Sequence, residues 1–327
     1  MKISQEHQDF LEKMRIELET VKALNLDPQI LVDIADDYEK SKEDLFDSAE
    51  YIAKKLQRCK HVHSVRWRVK DTSHLIEKII RKKEAQSEKY EDIDVINYKS
   101  KIDDLIGVRA IYLFKQDWLP VHQHILSKWT PKEKVVVYYR EGDDLDQYLD
   151  KPDCETKKHN DSYRSIHYIV PAGEIHSQTI SCEIQTRTIF EEGWSEIDHK
   201  VRYPNFSKDP NLKEYLDTFN RLAGSADEMG TFVITLKGII ESELQAKEEM
   251  QKHQMKITDL ENKIDLLLDK VKDHEELKQA FKELKNTSST INTEIIGRRV
   301  ANDPRERRRL AKLAAEQALI RAKNLQP

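Results

Sequence analysis

The chain has 327 residues, 35% of them charged, only 8 glycines, and a formal net charge of -5. That length can bury one or two cores, and the mildly acidic total argues against indiscriminate nucleic-acid binding by the whole chain. Cys59, Cys154 and Cys182 lack the paired spacing of a zinc site and suggest reduced thiols in a cytoplasmic location. No stretch nears the roughly 18 apolar residues of a membrane span, and Met1-Lys2-Ile3-Ser4 opens no secretory signal.

Between residues 5 and 24, Phe10, Leu11, Met14, Ile16, Leu18 and Val21 mostly recur at helical spacing and predict a helix. Asn25-Leu26-Asp27-Pro28 interrupts it, and Asp27 as N-cap with Pro28 at the first position starts a second helix that runs to about Leu56. Neither carries a catalytic constellation, so residues 1–56 are expected to be a packing layer. Residues 65–70 read as a short strand with Arg66, Arg68 and Lys70 on one face. Asp71 or Thr72 would cap the next helix, which holds Ser73, Lys78, Arg81, Lys82 and Lys83. Cations on a strand face that feeds a helix N-terminus suit phosphate, although the same run also fits a solvated basic face. No Gly-rich Walker loop occurs, which excludes a P-loop.

Asp103 and Asp104 precede a strand over residues 105–114 that is entered through Gly107 and contains Arg109. Paired acids commonly end on a solvated loop, yet an aspartate at the mouth of a central strand is equally where a Mg²⁺ ligand belongs. Residues 134–139, with Val135, Val136 and Val137 in the middle, are apolar enough for a central strand, and residues 140–161 read as an exposed acidic loop. In the next strand Tyr163, Ser165 and His167 share one face, while Arg164, Ile166 and Tyr168 share the other. A hydroxyl and an imidazole repeating with an aromatic suit a site better than a core, the tyrosine serving as a stacking platform for a base.

Residues 171–177 connect to a strand over residues 181–188. There Cys182 and Ile184 point into a core, while Glu183 and Gln185 leave the opposite face. An acid at the border of a core calls for a metal ion or a phosphate-bound cation opposite it, so this strand is expected to be one wall of an active site. Residues 189–201 form an amphipathic helix with Trp194, Ile197 and Val201 inward. Glu196 and His199 share a face of that helix, but without a third ligand they fit a structural hydrogen bond better than a metal site.

Taken together, Arg68-x-Lys70, Asp104-Leu-Ile-Gly107-Val-Arg109, Tyr163-Arg-Ser-Ile-His167 and Glu183-Ile-Gln185-Thr-Arg187-Thr resemble the RelA/SpoT alarmone synthetase domain, over roughly residues 56–203. The segment Trp194 to Tyr203, with His199-Lys-Val-Arg-Tyr203, is similar to that family as well. The resemblance implies an α+β fold, a mixed β-sheet flanked by helices like that of nucleotidyltransferases. It also implies transfer of pyrophosphate from ATP to the 3′-hydroxyl of GDP or GTP, giving (p)ppGpp and AMP. Carried over residue by residue, it makes Asp104 and Glu183 catalytic and Mg²⁺-binding, and assigns Arg68, Lys70, Ser73, Lys78 and Arg109 to ATP. Tyr163, Ser165, His167 and Gln185 fall to the acceptor, with Glu183 also helping to deprotonate the 3′-hydroxyl. Two positions depart from the family: Ser162 stands where glycine is common before the tyrosine, and His159 where a lysine is usual. Both touch the acceptor side, which keeps open a toxin-type member that acts on the 3′ end of tRNA. A non-catalytic nucleotide-sensing or scaffolding protein is the alternative of another class. No His-Asp dipeptide precedes the synthetase region, so a built-in hydrolase is not expected.

The domain plan that follows is residues 57–235 for the synthetase, 236–285 for a helical or coiled-coil segment, and 286–327 for a basic helical tail. Ile257, Leu260, Ile264, Leu267 and Val271 form a heptad seam, continued by Leu277, Phe281 and Leu284. It predicts oligomerisation or docking back onto the same chain. Residues 286–292 read as a break, and Arg298, Arg299 and residues 305–309 as a basic tail that could touch RNA or an acidic partner.

Overall fold

The computed structural model describes residues 4–159, 162–202, 210–270, 275–276, 279–280 and 282–287. Six strands, β1 (Ser64–Val69), β2 (Ile106–Tyr112), β3 (Val135–Tyr139), β4 (Cys154–Lys158), β5 (Ser165–Ile175) and β6 (Gln178–Thr188), make one sheet in the order β1-β2-β6-β5-β3-β4. β2 with β6 and β3 with β4 run parallel and the remaining neighbours antiparallel, so the sheet is mixed. β6 is an interior strand. That is why Cys182 and Ile184 can be completely buried on one side while Glu183 and Gln185 stand on the other.

The register separates two kinds of face. Val108, Ala110, Cys182, Ile184, Ile166, Tyr168, Val135 and Val137 fall on one side by alternation, and all are buried. The long helix α3 (Pro28–Gln57) supplies Leu31, Ile34, Tyr38, Leu45, Ala49, Ile52 and Leu56 to the same core. Asp27 caps it, its carboxylate accepting from the Gln29 N–H at 3.1 Å, with Pro28 in the first turn as expected.

Several expectations are corrected. Residues 5–24 are not one helix but α1 (Gln5–Lys13) and α2 (Leu18–Ala23), parted where Arg15 adopts a left-handed φ of 58°. The break lets Leu11 and Val21 both reach the core, which one straight helix need not do. β3 is not central: it lies one place in from the edge, covered by β4, which forms inside the stretch read as an exposed loop. β4 pairs on one side alone, so polar residues such as Lys157 and Lys158 are tolerated there and hid it from a hydrophobicity argument. The short helix α7 (Asp146–Leu149) also lies in that stretch. The expected connection over residues 171–177 is mostly strand. β5 and β6 extend to a tight turn at His176 and Ser177, whose φ of 48° and 63° match a two-residue hairpin turn that follows the strand twist. In helix α8 (Ile189–Arg202) Trp194 is buried, but Ile197 is 46% exposed and does not face inward.

Helices α4 (Thr72–Glu84), α5 (Tyr98–Lys101) and α6 (Trp118–Leu126) complete the layer around the sheet, followed by helix α9 (Pro210–Lys270). The chain falls into two compact units, Met1–Phe232 and Val233–Pro327. Within the second, Ile257 and Ile264 are half-buried, Leu260, Leu267 and Leu284 exposed, and Lys285 pairs with Asp265 at 2.6 Å. Asn286 and Thr287 are still helical, so the expected break does not begin at Asn286. Val271, Leu277, Phe281 and residues 288–327, with the basic tail, lie outside the described residues, as do Asn160, Asp161 and Tyr203. No described helix is long and apolar enough to cross a membrane.

Candidate active site

Alternation puts Arg66 and Arg68 of β1, Gly107 and Arg109 of β2, Glu183, Gln185 and Arg187 of β6, and Ser165 and His167 of β5 on the face opposite the apolar core. Lys70 follows β1 in the same phase. The expected donor-side and acceptor-side residues therefore meet on one surface, brought together from four strands. Gly107 lies directly across from Arg68; a Cβ there would stand 3.6 Å from the arginine's Cγ, so the missing side chain leaves the guanidinium arm room along the strand.

Asp104 precedes β2 and receives two lysines, Lys70 at 3.0 Å and Lys78 of α4 at 2.6 Å. Burial opposes its charge, but the two ammonium groups more than offset that and hold its carboxyl below the ordinary range. Asp103 turns elsewhere, to Lys89 and to Lys132 at 3.0 Å, so of the two acids Asp104 alone joins the site. Glu183 is held by His167 Nδ1 at 3.2 Å and accepts from Gln185 Nε2 at 2.6 Å. Against the desolvation of its position these partners, with the charge of Lys78 nearby, bring Glu183 down to about 2. Lys78 thus acts on both carboxylates.

Tyr163 stands half-buried among the rings of Tyr138, His159 and His167, at 6.0, 5.3 and 5.9 Å between centroids. Its hydroxyl accepts from Arg187 Nη2 at 2.7 Å and lies 3.1 Å from His167 Nε2, and the Arg187 guanidinium sits 5.1 Å from its ring. His159 adds a ring to this cluster where the family's usual lysine would add a charge. Ser162 has φ of 58°, the region in which glycine is at ease. Ser165 shares the polar face but is 2% exposed, and Ser73 is half-buried in the first turn of α4.

Two features escaped the sequence reading. Arg187 is 1% exposed and ties three segments together: it donates to Tyr163 and Gln185 and pairs with Glu192 of α8 at 3.2 Å. Its phase with Glu183 and Gln185 was the available signal. Glu192 and Glu196 of α8 also receive Arg109, Glu192 at 3.1 Å, and Arg66 lies 3.6 and 3.5 Å from the same pair. Nothing local in the sequence announces that contact.

The donor chemistry fits Mg²⁺. Asp104 and Glu183 are hard, ionised oxygen donors, and this ion is commonly bound by one or two carboxylates together with substrate phosphates. A different trio, His122, Asp153 and Cys154, places ligand atoms within 4.8 Å of one another on the apolar side of the sheet. Its imidazole is engaged by Asp153 at 3.0 Å and by the Tyr168 hydroxyl at 3.1 Å, a structural arrangement.

Residues 67–208 match the family model described as the region found in RelA / SpoT proteins, and the chain carries a domain of that class. No curated protein matches the chain. Among solved structures it is similar to small alarmone synthetase 1 from Bacillus subtilis, at 19% identity over 63% of this chain and 99% of that one, with a TM-score of 0.47. The same protein bound to AMPCPP matches at 20% identity over 63% and 98%, TM-score 0.44. A GTP pyrophosphokinase family protein from Streptococcus pneumoniae matches at 20% over 74% and 96%, TM-score 0.38.

Proposed function

We propose that this chain transfers pyrophosphate from ATP to the 3′-hydroxyl of GDP or GTP, releasing AMP. The observation that carries the reading is the single polar face that holds Arg68, Arg109, Glu183, Gln185 and His167, bordered by Asp104 with Lys70 and Lys78 and by Tyr163, all within the RelA/SpoT-type region. In this reading Lys70 and Lys78, which neutralise Asp104 in the free protein, turn to the triphosphate, with Arg68, Arg109 and Ser73 completing its cradle. Asp104 and Glu183 would hold Mg²⁺, which when bound neutralises charge on the phosphate oxygens. Tyr163 stacks on the guanine, while His167 and Gln185 orient the acceptor.

The 3′-oxygen forms a bond to the β-phosphorus as the bond from that phosphorus to the α–β bridging oxygen breaks, and AMP departs with the bridging oxygen. The hydroxyl proton passes toward Glu183 and its partner His167. A carboxylate held near 2 is a weak base, so it takes the proton only after the new oxygen–phosphorus bond has begun to form.

The test supplies purified protein with Mg²⁺ and γ-labelled ATP, then GDP, GTP or deacylated tRNA in separate reactions. Label in a guanosine nucleotide with stoichiometric AMP is the expected result. Label in tRNA alone would replace the acceptor, and ATP binding without AMP release would make the domain a non-catalytic sensor. Asp104→Asn and Glu183→Gln should each lower transfer by about 10²- to 10⁴-fold while leaving the far-UV spectrum unchanged.

A further inference from the structure

Asn220, in the part of α9 that belongs to the first unit, is completely buried, and its side chain bonds Ser162, Arg164 and Arg140. Its Nδ2 donates to the Ser162 carbonyl at 2.9 Å. Its Oδ1 accepts from Arg164 Nη2 at 3.2 Å and from Arg140 Nη1 at 3.3 Å, and its own carbonyl accepts from Arg164 Nη2 at 3.1 Å. Arg164 is held further by Asp143 at 3.6 Å. One turn along α9, a Cβ on Gly224 would come within 2.8 Å of Arg164 Nη1, so the absent side chain is what admits the guanidinium.

Ser162 and Arg164 flank Tyr163. Ser162 adopts a left-handed φ of 58°, a region that costs a non-glycine residue some free energy, and the Asn220 bond to its carbonyl helps to hold it there. Arg164 turns to Asn220 and Asp143, while Tyr163 turns to Arg187 and His167. A residue pinned before and after in this way has one direction open to it, toward the polar face and Arg187.

We propose that Asn220 is a positioning residue for the acceptor: it clamps the turn that presents Tyr163, and so sets affinity for the nucleotide acceptor and not for ATP. This rests on the function proposed above. The informative variant is Asn220→Asp. Its carboxylate keeps Arg164 and Arg140 but meets the Ser162 carbonyl with an oxygen, so one bond is lost while the buried Arg164 and the half-buried Arg140 stay paired. Gly224→Ala is a second, independent route, displacing Arg164 directly.

Two measurements are made on the full chain. Hydrogen–deuterium exchange over residues 162–168 should quicken in both variants while exchange in α3 is unchanged. In steady-state transfer the acceptor KM should rise about tenfold, the scale of one lost buried hydrogen bond, with the ATP KM within twofold of wild type. Unchanged exchange over residues 162–168 overturns the clamp, and so does a rise in both KM values together, which marks a merely structural residue. If the wild type transfers label to no acceptor, the proposed function fails, and the clamp is then decided by exchange alone.

Discussion

Arg187 donates to Tyr163 and Gln185, pairs with Glu192, and remains almost wholly out of water. A guanidinium holds these partners with five donors in a fixed planar fork, a geometry that the three donors of a rotating ammonium do not reproduce. Arg187→Met removes the donor to Tyr163 and Gln185 and leaves Glu192 with Arg109 and Arg66 alone, so it should cost about 3 kcal/mol in urea unfolding. Glu192→Gln should cost less in that background than it does alone, because its contact with Arg187 is already gone. Strict additivity of the two changes would show that the pair is not coupled. Arg109 also pairs with Glu192 and has its guanidinium held in the charged form by Glu192 and Glu196 against its burial, so the two arginines meet at one carboxylate.

At the scale of elements, α3 does more than cover the sheet. Its Tyr38 donates to the Lys70 carbonyl at 2.6 Å, fixing the junction from which Lys70 and α4 reach Asp104. Its neighbour Asp37 accepts from Tyr98 at 2.8 Å and pairs with Lys99, whose side chain is fully buried. A lysine in that position is tolerable only while paired. Asp37→Ala should therefore lower stability by about 3 kcal/mol, with His176, 3.5 Å from Lys99, a weak substitute. The double variant with Lys99→Met should recover most of the loss. A thermal midpoint unmoved by Asp37→Ala would mean that Lys99 escapes to water.

Across the first unit as a whole, the start of α8 meets α9 through acids. Thr188 and Glu191 form a reciprocal cap, the Thr188 N–H donating to Glu191 at 2.8 Å and the Glu191 N–H to the Thr188 hydroxyl at 3.1 Å. The same hydroxyl donates to Asp227 of α9 at 2.9 Å. Burial, then the charge of Glu191, pushes Asp227 up to about 7, with Thr188, Lys115 and Arg164 acting the other way. A carboxyl whose value is raised by folding contributes stability that is fully present below its ordinary value of 3.8 and is lost as pH rises through about 7. Asp227→Asn cannot ionise. Its thermal midpoint should exceed that of wild type at pH 8, and the gap should close toward pH 5. Equal midpoints at pH 8 would place Asp227 in ordinary solvent.

What was legible in the sequence follows from short-range rules. The period of two in β5 and β6 sorted Glu183, Gln185 and His167 from Cys182, Ile184 and Tyr168, because in a strand neighbouring side chains must leave on opposite faces. Asp27-Pro28 marked the start of α3 for an equally local reason, since cap and first turn are satisfied within a few residues. The edge strand β4 was not legible, because half of its backbone pairing lies with nothing and its side chains need not be apolar. Nor could local pattern separate Asp103 from Asp104: the lysines that divide them come from α4, β1 and distant loops. The contact of Arg109 with Glu192, and that of Asn220 with Arg164 beside Tyr163, join residues 83 and 56 positions apart. Sequence alone determined which residue types face the site, because alternation is a property of the chain itself. Tertiary structure alone decided which charges meet, because a Coulomb contact depends on distance in space, and that distance is set by the packing of the whole core.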